Sequence, residues 1–170
     1  MQHKSSQAQV AAIIRKELKA MGVPARVTSS GYSGGNSVDV CLMDIPYPKV
    51  EKIRGCFVRY QEGHFNGGED IYEYSNTRDD IPQTKFLFIN SAYSPALRQS
   101  AWDFIKKHWQ CEDTEKAPAQ AAELFSYHGL ILGRPGDQIL QTILNGSFFC
   151  AGETTFWDYY SAQGKAPLAA

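Results

Sequence analysis

The chain has few cysteines, no long hydrophobic run and no excess of either charge. Its four cysteines, Cys41, Cys56, Cys111 and Cys150, lie far apart with no CxxC or CxxH pair, which excludes the close ligand spacing of a structural zinc site. No apolar stretch is long enough to span a membrane. Met1 leads into a polar segment, not into the apolar centre of a secretory signal. The expected setting is therefore a reducing cytoplasm with free thiols, Cys41 and Cys56 being core residues. A formal net charge of −1 excludes a general electrostatic pull on nucleic acid. Catalytic signatures are missing as well. The one G-x-S-x-G string, GYSGG at 31–35, lies between strands and not on a strand-to-helix elbow, and the glycine runs at 31–35, 63–68 and 133–137 lack the Lys-Ser/Thr of a phosphate-binding loop. Turn chemistry accounts for all three.

What is present is enough apolar material for a core: 170 residues, 43% hydrophobic. Charge is distributed unevenly. Residues 1–60 carry nine Lys/Arg against four acids, whereas residues 61–170 carry eight against fourteen. Such asymmetry is most simply two solvated surfaces, and it also marks where a charged partner would be met.

Local patterns give the elements. Gln7 to Met21 repeats apolar residues at helical spacing (Val10, Ile13, Ile14, Leu18, Met21), with Ser5 or Ser6 as N-cap and Gly22 and Pro24 as the stop. Residues 26–30 and 37–43 alternate as strands around a turn at 31–36, with Val38, Val40 and Leu42 on one face and Asp39, Cys41 and Met43 on the other. Pro46 and Pro48 open a second helix to about Phe57, with Val50, Ile53 and Phe57 inward. Residues 60–82 form a long polar and aromatic stretch in which IYEYS can make a short strand. Thr84–Asn90 reads as a buried strand. Ser94 and Pro95 start a third helix to Trp109, with Leu97, Ala101, Phe104, Ile105 and Trp109 on its apolar face.

Beyond that, residues 111–118 read as a linker, 119–127 as helical and 137–144 as a short helix closed by Asn145-Gly146. Residues 1–6 and 166–170 read as loose ends. Phe148, Phe149, Phe156, Trp157, Tyr159 and Tyr160 are too many aromatics to leave exposed. They either cover a core or form a homo-oligomer interface, and core packing is the simpler expectation. The expected fold is α+β: a small, mostly antiparallel sheet of about three strands with helices on one face, over residues 1–110, followed by a helical C-terminal region at 111–170.

The order helix, hairpin, helix, carried by IIRKELKA, VTSSGYSGGNSVDVCLMDIP and YQEGHFNGGEDIYEY, resembles the large polyvalent protein-associated domain 29 over about residues 8–76. The matching F-x-G-x-x-D-x-Y-x-Y ending is Phe65, Gly67, Asp70, Tyr72 and Tyr74. Leu42-Met43 stands where such modules often carry a tryptophan. The resemblance implies an αββα-type module of phages and conjugative elements. It also implies an anti-defence role, of anti-CRISPR or antirestriction type, exercised on a host defence protein or ribonucleoprotein complex.

Three surfaces compete for function. The first is acidic and aromatic: Glu62, Glu69, Asp70, Glu73, Asp79 and Asp80 fall in one loop, with Tyr72 and Tyr74 alternating with Glu73. Glu69, Asp70, Tyr72, Glu73 and Tyr74 are its expected contacts. Carboxylates attract a cationic partner, and tyrosines anchor it with little entropy loss. The bland alternative is a solvated loop with its tyrosines in the core. The second is basic, for nucleic acid: Arg15, Lys16 and Lys19 on the first helix with Lys52 and Arg54 on the second. Glu17 and Glu51 dilute it. The third is an acid/base or metal pair, His64 with Asp70, for which no third ligand is evident. The expectation is a non-enzymatic binding protein that needs no cofactor or metal.

Overall fold

Helix α1 (Ser6–Ala20) starts after Ser5 and buries Val10, Ala11, Ile14 and Leu18. It ends as a glycine stop should. Gly22 takes a positive φ of 67°, its N–H donates to Lys19 O, and the Val23 N–H donates to Leu18 O. Val23 and Leu18 then join the same core. Met21, expected in the apolar stripe, is the C-cap residue and is exposed. The computed structural model describes residues 5–109, 140, 143–144 and 155–164.

After α1 come β1 (Ala25–Tyr32), β2 (Gly35–Met43), α2 (Tyr47–Phe57), a 3-10 turn (Val58–Tyr60), β3 (His64–Asn66), β4 (Ile71–Glu73), β5 (Phe86–Ala92), α3 (Pro95–Trp109) and a last helix, here α4 (Phe156–Ala162). The fold is α+β, as expected. One sheet has the order β1-β2-β5, and β3 and β4 form a separate hairpin. β1–β2 and β3–β4 pair antiparallel, and β2–β5 pairs parallel.

The β1–β2 turn is tighter than the sequence suggests. Pairing continues through Gly31↔Asn36 and Tyr32↔Gly35, leaving a two-residue turn at Ser33-Gly34. Gly35 has φ 146°, a region few side chains tolerate. The Asn36 amide oxygen accepts from the Thr84 hydroxyl and the Lys85 N–H, both at 2.8 Å, and so fixes the start of β2 beside the start of β5.

The sheet has two unlike faces. Val27, Val38, Val40, Leu42 and Ile89 are buried together with α1 and with Val50, Ile53 and Phe57 of α2. Each such side chain contributes about 1.5–3 kcal/mol of burial free energy. The other face carries Thr28, Asp39, Phe86, Phe88 and Asn90 by strand alternation. β5 is therefore not the doubly buried strand its apolar run suggests. It is an edge strand with helices on one side, and Phe88 is 46% exposed. Cys56, expected in the core, is exposed, and Cys41 is half-buried on the open face.

Both edges of this sheet are capped by arginine. The Met43 N–H donates to Pro24 O, which phases the β1–β2 ladder so that Val27 turns its backbone groups away from β2. Arg15 donates to that Val27 oxygen at 2.8 Å. The Asp44 N–H donates to Ala92 O, which likewise turns Ile89 outward, and Arg54 donates to Ile89 O at 2.8 Å. Occupied edge carbonyls discourage pairing with another chain.

The chain divides into two compact units, one built from residues 1–45 and 49–92 and the other from 46–48 and 93–170. In the second, α3 starts at Ser94, whose hydroxyl accepts from the Leu97 N–H at 3.2 Å. Leu97, Ala101 and Phe104 bury against Leu140, Ile143, Leu144, Phe156 and Trp157, and Tyr159 and Tyr160 pack on that cluster. Core packing is thus what these four C-terminal aromatics do. The Thr155 and Asp158 side chains form a reciprocal cap on α4. The expectations for residues 1–4, the linker at 111–118, the helix at 119–127, Asn145-Gly146, Phe148, Phe149 and residues 166–170 fall outside the described residues, as do the side chains of Ile105 and Trp109.

One polar contact ties α1 to the chain leaving α2. The buried Tyr60 hydroxyl donates to Glu17 Oε1 at 2.6 Å, and Arg59 donates to Glu17 Oε2 at 2.9 Å. Burial first, and then the Glu17 hydrogen bond, hold the Tyr60 phenol above its ordinary value of 10.0. A raised phenol pKa stabilises the fold in full below pH 10, and this contribution is lost as pH climbs through the folded value. Replacing Tyr60→Phe is expected to cost about 1 kcal/mol near neutral pH. Above pH 10 the variant should lose stability less steeply than the parent. Urea unfolding at a series of pH values measures both.

Candidate functional site

The polar stretch between the 3-10 turn and β5 is ordered by two side-chain amides, one buried and one half-buried. Gln83, 5% exposed, donates through Nε2 to Arg59 O and Asn76 O, both at 2.8 Å, and accepts the Arg78 N–H at 2.7 Å. Asn76 donates to Gln61 O at 2.8 Å and to Val58 O at 3.1 Å. Backbone bonds from Glu62 N to Thr84 O and from Asn76 N to Glu62 O close the frame. A loop without regular structure satisfies its buried backbone this way.

From that frame rises the β3–β4 hairpin, paired His64↔Glu73, Phe65↔Tyr72 and Asn66↔Ile71. Gly63 makes its closure feasible. A Cβ there would lie 1.8 Å from Glu73 O, so only a residue without a side chain lets the two segments meet. Asp70 takes a positive φ of 55° in the turn, a conformation that Asp and Asn tolerate better than most residues. The Gly68 N–H donates to Asn66 Oδ1 at 3.0 Å at the other end of the turn.

The hairpin separates the residues singled out in the sequence. Tyr72 turns toward the sheet. Its ring meets Phe86 edge-on at 5.2 Å and Tyr74 at 4.9 Å, and its hydroxyl donates to Lys85 O. Burial, with the Glu62 charge adding, pushes its phenol above the ordinary value. Glu73 faces the opposite side, where Oε1 accepts from Asn66 and Oε2 lies 3.5 Å from His64 Nε2. Tyr72 and Glu73 are thus structural as well as candidate contacts. Glu69 and Asp70 are exposed at the tip, with no ion pair among the described residues. Tyr74 is 59% exposed, Phe65 55% and Ile71 48%. Asp80 is held by Arg78 at 2.6 and 2.9 Å, and that guanidinium keeps its carboxyl below the usual range.

His64 is not brought to Asp70. Its Nδ1 lies 3.1 Å from the Ser75 hydroxyl and its Nε2 faces Glu73, on an exposed hairpin. No group of three His, Cys, Asp or Glu among the described residues is placed to hold a metal ion. Of the basic set, Arg15 and Arg54 are engaged with strand carbonyls, while Lys16, Lys19 and Lys52 are exposed. No helix among the described residues is long and apolar enough to cross a membrane.

A family model described as large polyvalent protein associated domain 29 matches residues 5–94, more than half of the chain. The chain belongs to that family. Membership associates it with proteins of phages and mobile elements. No curated protein and no solved structure matches the chain. The large polyvalent protein associated domain 29 runs from Ser5, before α1, to Ser94, just past β5. It extends past the stretch the sequence motifs suggested and takes in Gln83 of the polar frame and the exposed Phe88. Gly63, Gln83 and Phe88 were not singled out in the sequence. Alternation of Phe86 and Phe88 with Leu87 and Ile89 was the available sign that β5 has two faces. Nothing local marks Gln83, whose partners lie 5 to 24 residues away.

Gly63→Ala forces its methyl group onto the Glu73 carbonyl and is expected to cost about 1–3 kcal/mol. Urea unfolding gives the size. Near-ultraviolet circular dichroism should show the Tyr72 and Tyr74 signal weakened while the far-ultraviolet helix signal stays.

Proposed function

We propose that this member of the family is a non-enzymatic inhibitor that docks on a host defence protein or ribonucleoprotein complex, of the CRISPR or restriction type. The observation that carries the reading is the hairpin tip. Two carboxylates, Glu69 and Asp70, stand exposed at the tip, and the hairpin also exposes Phe65 and Ile71 on its strands and Tyr74 at its base. Unpaired charge gives long-range attraction to a cationic surface, and adjacent apolar groups give the short-range contact that holds it. Inhibition would then be steric: a rigid module covers a surface that the complex needs. Binding of this kind weakens as salt rises.

The test is inhibition of a purified defence complex by the parent protein and by a tip variant carrying Glu69→Lys and Asp70→Gly. Glycine keeps the turn at position 70 and removes its charge. Stoichiometric inhibition by the parent, weakened by salt and lost in the variant, is the expected result. Equal inhibition by both proteins contradicts the assignment. Loss of inhibition only after Lys16→Glu, Lys19→Glu and Lys52→Glu would transfer the function to the basic surface and to nucleic acid.

A further inference from the structure

We propose that the open face of the sheet reads an arginine side chain of the protein partner, with Phe88 as the stacking surface and Asp39 as the carboxylate. The proposal rests on the docking function above and adds a second contact to it.

Three observations converge. First, these rings already hold a cation. The Lys85 ammonium lies 5.1 Å from the Tyr72 ring centre and 5.5 Å from that of Phe86. Second, Phe88 continues that platform. Its ring is parallel to Phe86 within 3°, centres 6.1 Å apart, and it is 46% exposed with no cation over it among the described residues. Third, Asp39 is the partner of Phe88 across the β2–β5 pair. Neighbouring strands lie about 4.8 Å apart, so the carboxylate flanks the ring. Asp39 is exposed, and its one described contact is the Ser37 hydroxyl at 3.4 Å. Arg26 lies diagonally across on β1 and forms no ion pair with it among the described residues.

A ring beside a carboxylate suits a guanidinium. Its plane stacks on the aromatic face while its N–H fork meets the two oxygens. An ammonium offers neither plane nor fork. A phosphate would be repelled by Asp39, which disfavours single-stranded nucleic acid even though exposed sheet aromatics can stack bases.

The test is a nuclear magnetic resonance titration of the whole, isotopically labelled protein. Its probes are a capped Gly-Arg-Gly peptide, its Gly-Lys-Gly counterpart and a short oligothymidylate. The arginine peptide is expected to shift the resonances of residues 39 and 88 in a saturable way, and several-fold more tightly than the lysine peptide. Asp39→Asn should weaken it about tenfold, and Phe88→Leu, which keeps an apolar side chain, should weaken it too. Arg26→Ala should leave it unchanged or tighten it. Equal response to both peptides, indifference to Asp39→Asn, or oligothymidylate binding at the same residues overturns the proposal. The tip variant separates the two ideas. It should lose inhibition yet keep the arginine response. Full inhibition by Asp39→Asn removes the arginine contact and leaves the docking function standing.

Discussion

Gln83 is the residue on which the exposed part of this fold depends. One buried side-chain amide reaches Arg59 O and Asn76 O and accepts from Arg78 N. An unsatisfied buried carbonyl costs more than a hydrogen bond returns, so these groups would need other partners or water if the amide were lost. Without this frame the segment between Tyr60 and Thr84 would have no reason to keep one path. With it, the hairpin stands in a fixed direction. A partner docking there as proposed would meet a surface already ordered, which lowers the entropic cost of association.

The same economy of side chains runs through the sheet. Arg15 and Arg54 look like surface charge in the sequence, but each satisfies an outward-facing strand carbonyl. Tyr72 likewise joins the hairpin to the sheet through Phe86 and the Lys85 carbonyl. Among the exposed groups, two small sets combine charge with apolar surface: Glu69 and Asp70 with Phe65, Ile71 and Tyr74 on the hairpin, and Asp39 with Phe88 on the open face. Binding energy in protein interfaces concentrates in such small sets.

Much of the scaffold is legible because its signals are local. The spacing of Val10, Ile14 and Leu18, the glycine stop after α1, the alternation of Val38, Val40 and Leu42 and the Ser94 cap are each read within a few residues and each stand in the fold. The family resemblance was legible for the same reason, through the ending at Phe65, Gly67, Asp70, Tyr72 and Tyr74. The rest depends on distant contacts. β5 looks buried because its residues are apolar, yet its environment is set by which face the helices cover. Cys56 lies on an apolar-looking helix but faces solvent. Tyr72 and Glu73 are adjacent in sequence and face opposite sides of the hairpin. The need for Gly63 comes from a carbonyl ten positions later, and that of Gln83 from groups up to 24 positions earlier.

The central claim is that the acidic hairpin is a preordered part of the domain. Amide hydrogen exchange of the whole protein tests it most directly, at Glu62, Asn76 and Thr84, whose N–H groups donate to Thr84 O, Glu62 O and Tyr60 O. Slow exchange at all three, comparable to the β1–β2 ladder, is the predicted result. Exchange at those amides as fast as in an unstructured peptide, while the ladder stays protected, would contradict it.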